Sequence, residues 1–70
     1  MMPVTLAEIG EECIIKKIGG SPEVKKHLEH LGFVVGGIVT IVSRLGGNII
    51  VNIKDSRIAI SEETARRIFI

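Results

Sequence analysis

Two spacings of apolar residues alternate along this chain. From Glu12 to Ile18 the residues are rich in β-branched side chains. Ile14 and Ile18 share one face and Cys13 and Ile15 the other, which predicts a strand ended by Gly19-Gly20. The spacing then turns helical. Val24, Leu28 and Leu31 fall at i, i+4 and i+7 and form one apolar stripe, with Lys25, Lys26 and Glu29 on the opposite side. Ser21 suits the N-cap, Pro22 the first helical position and Glu23 the positive end of the helix dipole. Gly32 closes the helix, and Phe33 is placed to pack back on Leu28 in a Schellman-type ending.

Strand spacing returns after Gly36-Gly37. Ile38 to Leu45 predicts one strand and Asn48 to Ile53 the next, joined by a tight turn at Gly46-Gly47. In the second of these, Ile49, Val51 and Ile53 make one face fully apolar. Lys54-Asp55-Ser56 predicts another turn, and Arg57 to Ile60 a short strand with Ile58 and Ile60 facing inward. Ser61 then caps a brief helix, in which Glu62 and Glu63 each precede an arginine, Arg66 or Arg67, by four residues. Near the start, Thr5 to Gly10 has the pattern of a capped turn, with Thr5 as the cap and Glu8 completing a capping box.

The chain ends on Ile68-Phe69-Ile70, and so apolar an end needs a partner, most simply the first strand. That pairing would close the sheet and remove its edges. The fold class expected is therefore mostly β. It is a small SH3-like barrel of five short strands, with one helix inserted after the first strand and a short helical turn before the last. Residues 1–70 make one domain.

Composition narrows the function. Nine basic and eight acidic side chains leave a net charge of +1, too little to pull strongly on nucleic acid or acidic lipid. The only aromatics are Phe33 and Phe69, so stacking platforms for single strands and aromatic grooves for proline-rich peptides are missing. A lone cysteine, Cys13, forbids an internal disulfide and fits a reducing compartment. The N-terminus lacks the pattern of a signal peptide. The longest apolar stretch, Phe33 to Val42, is too short for a bilayer, which needs roughly 20 residues. A cytoplasmic protein without membrane insertion is the expectation.

No catalytic set is present. Ser/His/Asp and Cys/His arrangements lack local support, and the glycine pairs do not form a phosphate-binding fingerprint. The chain is therefore expected not to be an enzyme and to require no cofactor. The candidate ligands for a transition metal such as Fe(II) or Zn(II) are Cys13, His27 and His30, and they match no established ligand spacing. His27 is expected at the edge of the apolar stripe and His30 toward solvent. The basic pairs Lys16-Lys17, Lys25-Lys26 and Arg66-Arg67 read as a solvated face, with Lys25 offset by Glu29 and the two arginines by Glu62 and Glu63. The excess of apolar residues in Leu31-Gly32-Phe33-Val34-Val35 is more informative. With Leu28, these residues are the candidate partner-binding surface.

Several segments together resemble the ferrous-iron-transport protein A family, FeoA. They are Leu6 to Glu11, the Leu-x-x-Leu-Gly-Phe-x-x-Gly pattern from Leu28 to Gly36, Ile58-Ala59-Ile60, and Glu63 to Ile68. The resemblance covers nearly the whole chain. It implies an SH3-like barrel with a helical insertion, and a cytosolic accessory protein acting on the GTPase region of a FeoB-type ferrous iron transporter. It also extends to the C-terminal domain of DtxR-type metal-dependent repressors. Where the family often carries arginines ahead of the motif, this chain has Lys25-Lys26-His27, and Val35 stands where proline is common. A metal sensor or carrier is the alternative function, and the excess apolar surface also makes a homodimer an expectation.

Overall fold

The structure, a computed structural model, describes residues 1–70. A 3₁₀ turn at Val4–Leu6 opens the chain. Strands β1 (Glu12–Ile14) and β2 (Lys17–Ile18) follow, then helix α1 (Pro22–Leu31). A meander of β3 (Ile38–Leu45), β4 (Asn48–Ile53) and β5 (Ser56–Ser61) leads to the single turn of α2 (Glu62–Ala65) and to β6 (Ile68–Phe69).

The single strand expected from Glu12 to Ile18 is two strands in two sheets. β1 pairs with β3, in a sheet of order β1-β3-β4-β5, and β2 pairs with β6. The switch takes two residues, Ile15 and Lys16. Ile15, fully buried, exchanges hydrogen bonds with the Gly36-Gly37 backbone, at 2.9 Å to the Gly37 carbonyl and 2.8 Å from the Gly36 amide. The Lys16 amide then donates to the Phe69 carbonyl at 2.7 Å. One unbroken β-branched run thus turns a corner that its composition does not mark.

Barrel closure, the other expectation, is not found. The chain end does pair with the second half of the predicted first strand, Lys17 opposite Phe69 and Ile18 opposite Ile68. Its other side is taken by the N-terminus, where Met2 and Ile70 exchange backbone bonds of 3.0 and 2.8 Å. β6 is therefore occupied on both sides, α2 intervenes between it and β5, and β5 remains an edge strand. The fold is mostly β with two helices and an open four-stranded sheet.

The meander follows the predicted alternation. Ile49, Val51 and Ile53 are buried, as are Val39 and Ile41 on β3 and Ile60 on β5, while Ile58 is half-buried against the same core. A register shift between Ile41 and Ser43 places an extra residue, Val42, in β3. Such a bulge bends the strand and raises its local twist.

Both helix caps on α1 form as the residue types require. Ser21 Oγ accepts from the Val24 amide at 3.3 Å. At the other end the Phe33 amide donates to the Leu28 carbonyl at 2.9 Å and the Gly32 amide to Glu29 at 3.0 Å, the paired bonds of a Schellman motif. Ser61 likewise caps α2, accepting from the Thr64 amide at 3.1 Å. The expected Thr5 cap and Glu8 capping box do not form. The first turn has Pro3 at its N-cap and no side-chain cap bond, and it is held instead by burial of Val4 and Ala7.

Fourteen residues are buried and none is polar or charged. No buried polar side chain therefore needs a partner, and the fold rests on one small apolar cluster.

Candidate docking surface

The segment after α1 divides the predicted partner-binding residues between core and surface. Leu28 and Phe33 are each 0% exposed and belong to the core cluster. A partner could not touch them without opening the domain, so they fall outside the exposed surface. Leu31 and Val34 are half-buried, and Val35 is 65% exposed.

The reason lies in the turn. Gly32, at φ +107°, reverses the chain so that Phe33 points back under the helix. The Gly37 amide donates to the Val34 carbonyl at 2.9 Å, and the two bonds to Ile15 pin the far side of this turn to the strand. Val35 is presented on a turn tied at both ends, which lowers the entropy cost of ordering it against a partner.

Beside this turn runs a groove of about 480 Å³ lined by Lys16, Lys17, Ile18, Lys25, Glu29, Phe33, Val34 and Val35. The junction of β1 and β2 supplies one wall and α1 the other. Lys17 also sits over the Phe69 ring, its Nζ 6.0 Å from the centroid, at the outer range of a cation–π contact. Two further apolar side chains lie open nearby in the sheet. Ile14 and Ile38 are direct register partners and are 58% and 52% exposed.

Charge pairing differs from expectation. The one ion pair is Arg66 with Glu62, at 3.5 Å and exposed on both sides. The pairs expected between Lys25 and Glu29 and between Arg67 and Glu63 do not form, and Lys16, Lys17 and Lys25 line the groove with no anion in contact. Lysine pairs in a near-neutral sequence gave no sign of this, because the grouping comes from β2 and α1 being brought side by side.

The candidate metal ligands are not brought together. Cys13 is buried on β1, with its thiol 3.6 Å from the Glu11 carbonyl oxygen. His27 and His30 are both exposed on α1, His27 more so than the half-buried position its spacing predicts. No group of three or more His, Cys, Asp or Glu side chains converges in a way that could hold a metal ion. Burial, then the Glu11 carboxylate and its hydrogen bond, push the Cys13 thiol above its ordinary pKa. That keeps it in the form least suited to bind metal.

A small mostly β domain with a helix inserted ahead of a three-strand meander, and an apolar turn displayed at the helix end, defines a recognisable class. The FeoA domain model matches residues 2–70, and this chain belongs to that family. A Methanocaldococcus jannaschii protein bearing the name of an Fe(2+) transport protein A is 31% identical over 70 residues, all of this chain and 85% of the relative. The crystal structure of an iron uptake regulatory protein, FeoA, superposes with a TM-score of 0.86 at 24% identity, over 96% of this chain and 89% of the other. A manganese-dependent transcriptional repressor shares the fold at 16% identity and a TM-score of 0.84. This chain covers 38% of its length. No helix is long and apolar enough to cross a membrane.

Proposed function

We propose that this protein is a cytosolic accessory protein of ferrous iron uptake. It docks on the cytosolic GTPase region of a FeoB-type transporter through the turn after α1. Membership of the FeoA family over residues 2–70 supports the pathway, and the observation that supports the docking surface is Val35. A β-branched side chain 65% exposed on a doubly pinned turn has no role in the core, and it adjoins half-buried Leu31 and Val34. Together they make a preorganised apolar anchor, the kind of feature that carries binding energy at an interface. The test is titration of the purified transporter region with wild-type protein and with Val35→Asp. Binding by the wild type, weakened about tenfold or more in the variant, is expected from the loss of one central anchor. Absence of wild-type binding at high protein concentration overturns the proposal. The alternative reading, a carrier or sensor of Fe(II) or Zn(II), lacks a converged donor set to support it.

A further inference from the structure

We propose that the groove between β2 and α1 receives an acidic protein segment carrying an apolar side chain. Carboxylates meet Lys16, Lys17 and Lys25, and the apolar side chain rests on Val34 and Val35. For the choice of partner this deepens the docking reading above, but its chemistry stands on the groove itself.

Charge complementarity is the main argument. Three lysines and one glutamate line the groove, a local excess of two positive charges in a chain whose total is +1. None of the three lysines has an anion within 4.0 Å, since the one ion pair lies elsewhere, at Arg66 and Glu62. The largest groove of the molecule, about 580 Å³, has the opposite character. Its charged lining is Glu12, Asp55 and Lys54, and Ile38 is its one open apolar side chain. A second groove, of about 450 Å³, carries a like excess, with Lys17, Arg66 and Arg67 against Glu63, but its one apolar side chain, Phe69, is half-buried. Excess positive charge is joined by a well-exposed apolar side chain, Val35, only between β2 and α1. Cationic walls also steer an acidic segment into a groove and speed its capture.

The shape favours a protein segment over other polyanions. A bilayer is flat, whereas Ile18 and Val34 are half-buried within a groove, which leaves Val35 as the one well-exposed apolar side chain there for a flat surface to meet. A nucleic acid strand needs exposed rings for its bases. Phe33, the only ring in this groove, is fully buried.

Two measurements test the inference. The first follows amide NMR shifts of the ¹⁵N-labelled protein with four probes: a Glu/Leu amphipathic peptide, its Lys/Leu counterpart, an oligothymidylate, and phosphatidylglycerol vesicles. Selective shifts at Lys16–Ile18, Lys25 and Val34–Val35 with the Glu/Leu peptide are expected. No shift, shifts elsewhere, or an equal or stronger response to any other probe overturns the inference. The second compares wild type with the double variant Lys16→Glu/Lys25→Glu in binding the transporter region. Both positions are exposed, so the fold is retained. Reversing two interfacial charges should weaken binding about tenfold or more and flatten its salt dependence. Unchanged affinity in the variant overturns the inference while the docking proposal stands. If the transporter region binds neither protein, the docking proposal fails and the peptide result alone decides this one.

Discussion

The guanidinium of Arg44 on β3 donates a 2.8 Å hydrogen bond from Nη2 to the backbone carbonyl of Ala7, thirty-seven residues earlier. The same nitrogen lies 2.9 Å from the Thr5 carbonyl. This one side chain ties the N-terminal turn to the main sheet, where the expected Thr5 and Glu8 capping is missing. Arg44→Ala should destabilise the fold by about 1.5 kcal/mol, the low end for a charge-assisted bond because part of the group faces water. Urea unfolding followed by circular dichroism measures this, as the chain has no Trp or Tyr to report by fluorescence. A larger loss of N-terminal amide protection than of global stability would show that the tie acts locally.

Phe33 and Val35 are two residues apart and should behave oppositely. Phe33 is fully buried, so Phe33→Ala removes a ring from a cluster of only fourteen residues. A loss of about 3–5 kcal/mol is expected, enough to unfold much of so small a domain. Val35→Ala should change stability by less than about 0.5 kcal/mol, because its side chain already faces water. The same unfolding titration reads both.

At Gly32 the constraint is conformational. A Cβ there would meet Ile53 at 3.7 and 3.8 Å, ordinary contact, but the backbone sits at φ +107°. Gly32→Ala should therefore cost about 1–2 kcal/mol through strain alone. Gly47→Ala is the control. Gly47 has no positive φ, and no atom lies within 4 Å of its added Cβ. Its midpoint should match wild type closely.

Cys13 should give stability a pH dependence on the alkaline side. Burial is the main cause of its raised pKa, with the Glu11 charge and hydrogen bond adding to it. The unfolded thiol ionises first, so the contribution is complete below the unfolded pKa and is lost as pH rises through the folded one. Across about pH 8 to 10 the unfolding midpoint should fall in wild type. In Cys13→Ala that fall should be smaller.

Metal binding should not depend on the candidate ligands. Calorimetry with Fe(II) and with Zn(II) is expected to give the same heats for wild type and for the Cys13→Ala/His27→Ala/His30→Ala variant. A loss of heat in the variant would revive the carrier reading. Chelation needs several donors at one point, and these three do not converge on one.

Much of the architecture was legible in the sequence because it is local. Ser21, Pro22 and Gly32 mark the bounds of α1 through groups on their own or adjacent turns, and all three act as their types require. Alternation through Ile49, Val51 and Ile53 set the inward face of β4, since side chains on a strand have a fixed period. The family resemblance was likewise carried by short motifs.

What lay beyond reach depended on contacts between distant segments. Whether Phe33 served the core or the surface could not be read from its neighbours, as both roles call for an apolar residue, and the αL turn at Gly32 decided it for the core. The corner at Ile15 and Lys16 is invisible in a continuous β-branched run, because sheet membership is fixed by which backbone arrives alongside. Arg44 carries no local signal of its bond to Ala7. The elements, their caps and their apolar faces were readable along the chain, since they follow from interactions a few residues apart. That the sheet stays open, that the metal candidates do not converge, and that three lysines line the groove beside Val35 came from the packed fold. Those outcomes depend on the packing of α1, β2 and the chain ends, where long-range hydrogen bonding and burial outweigh any local preference.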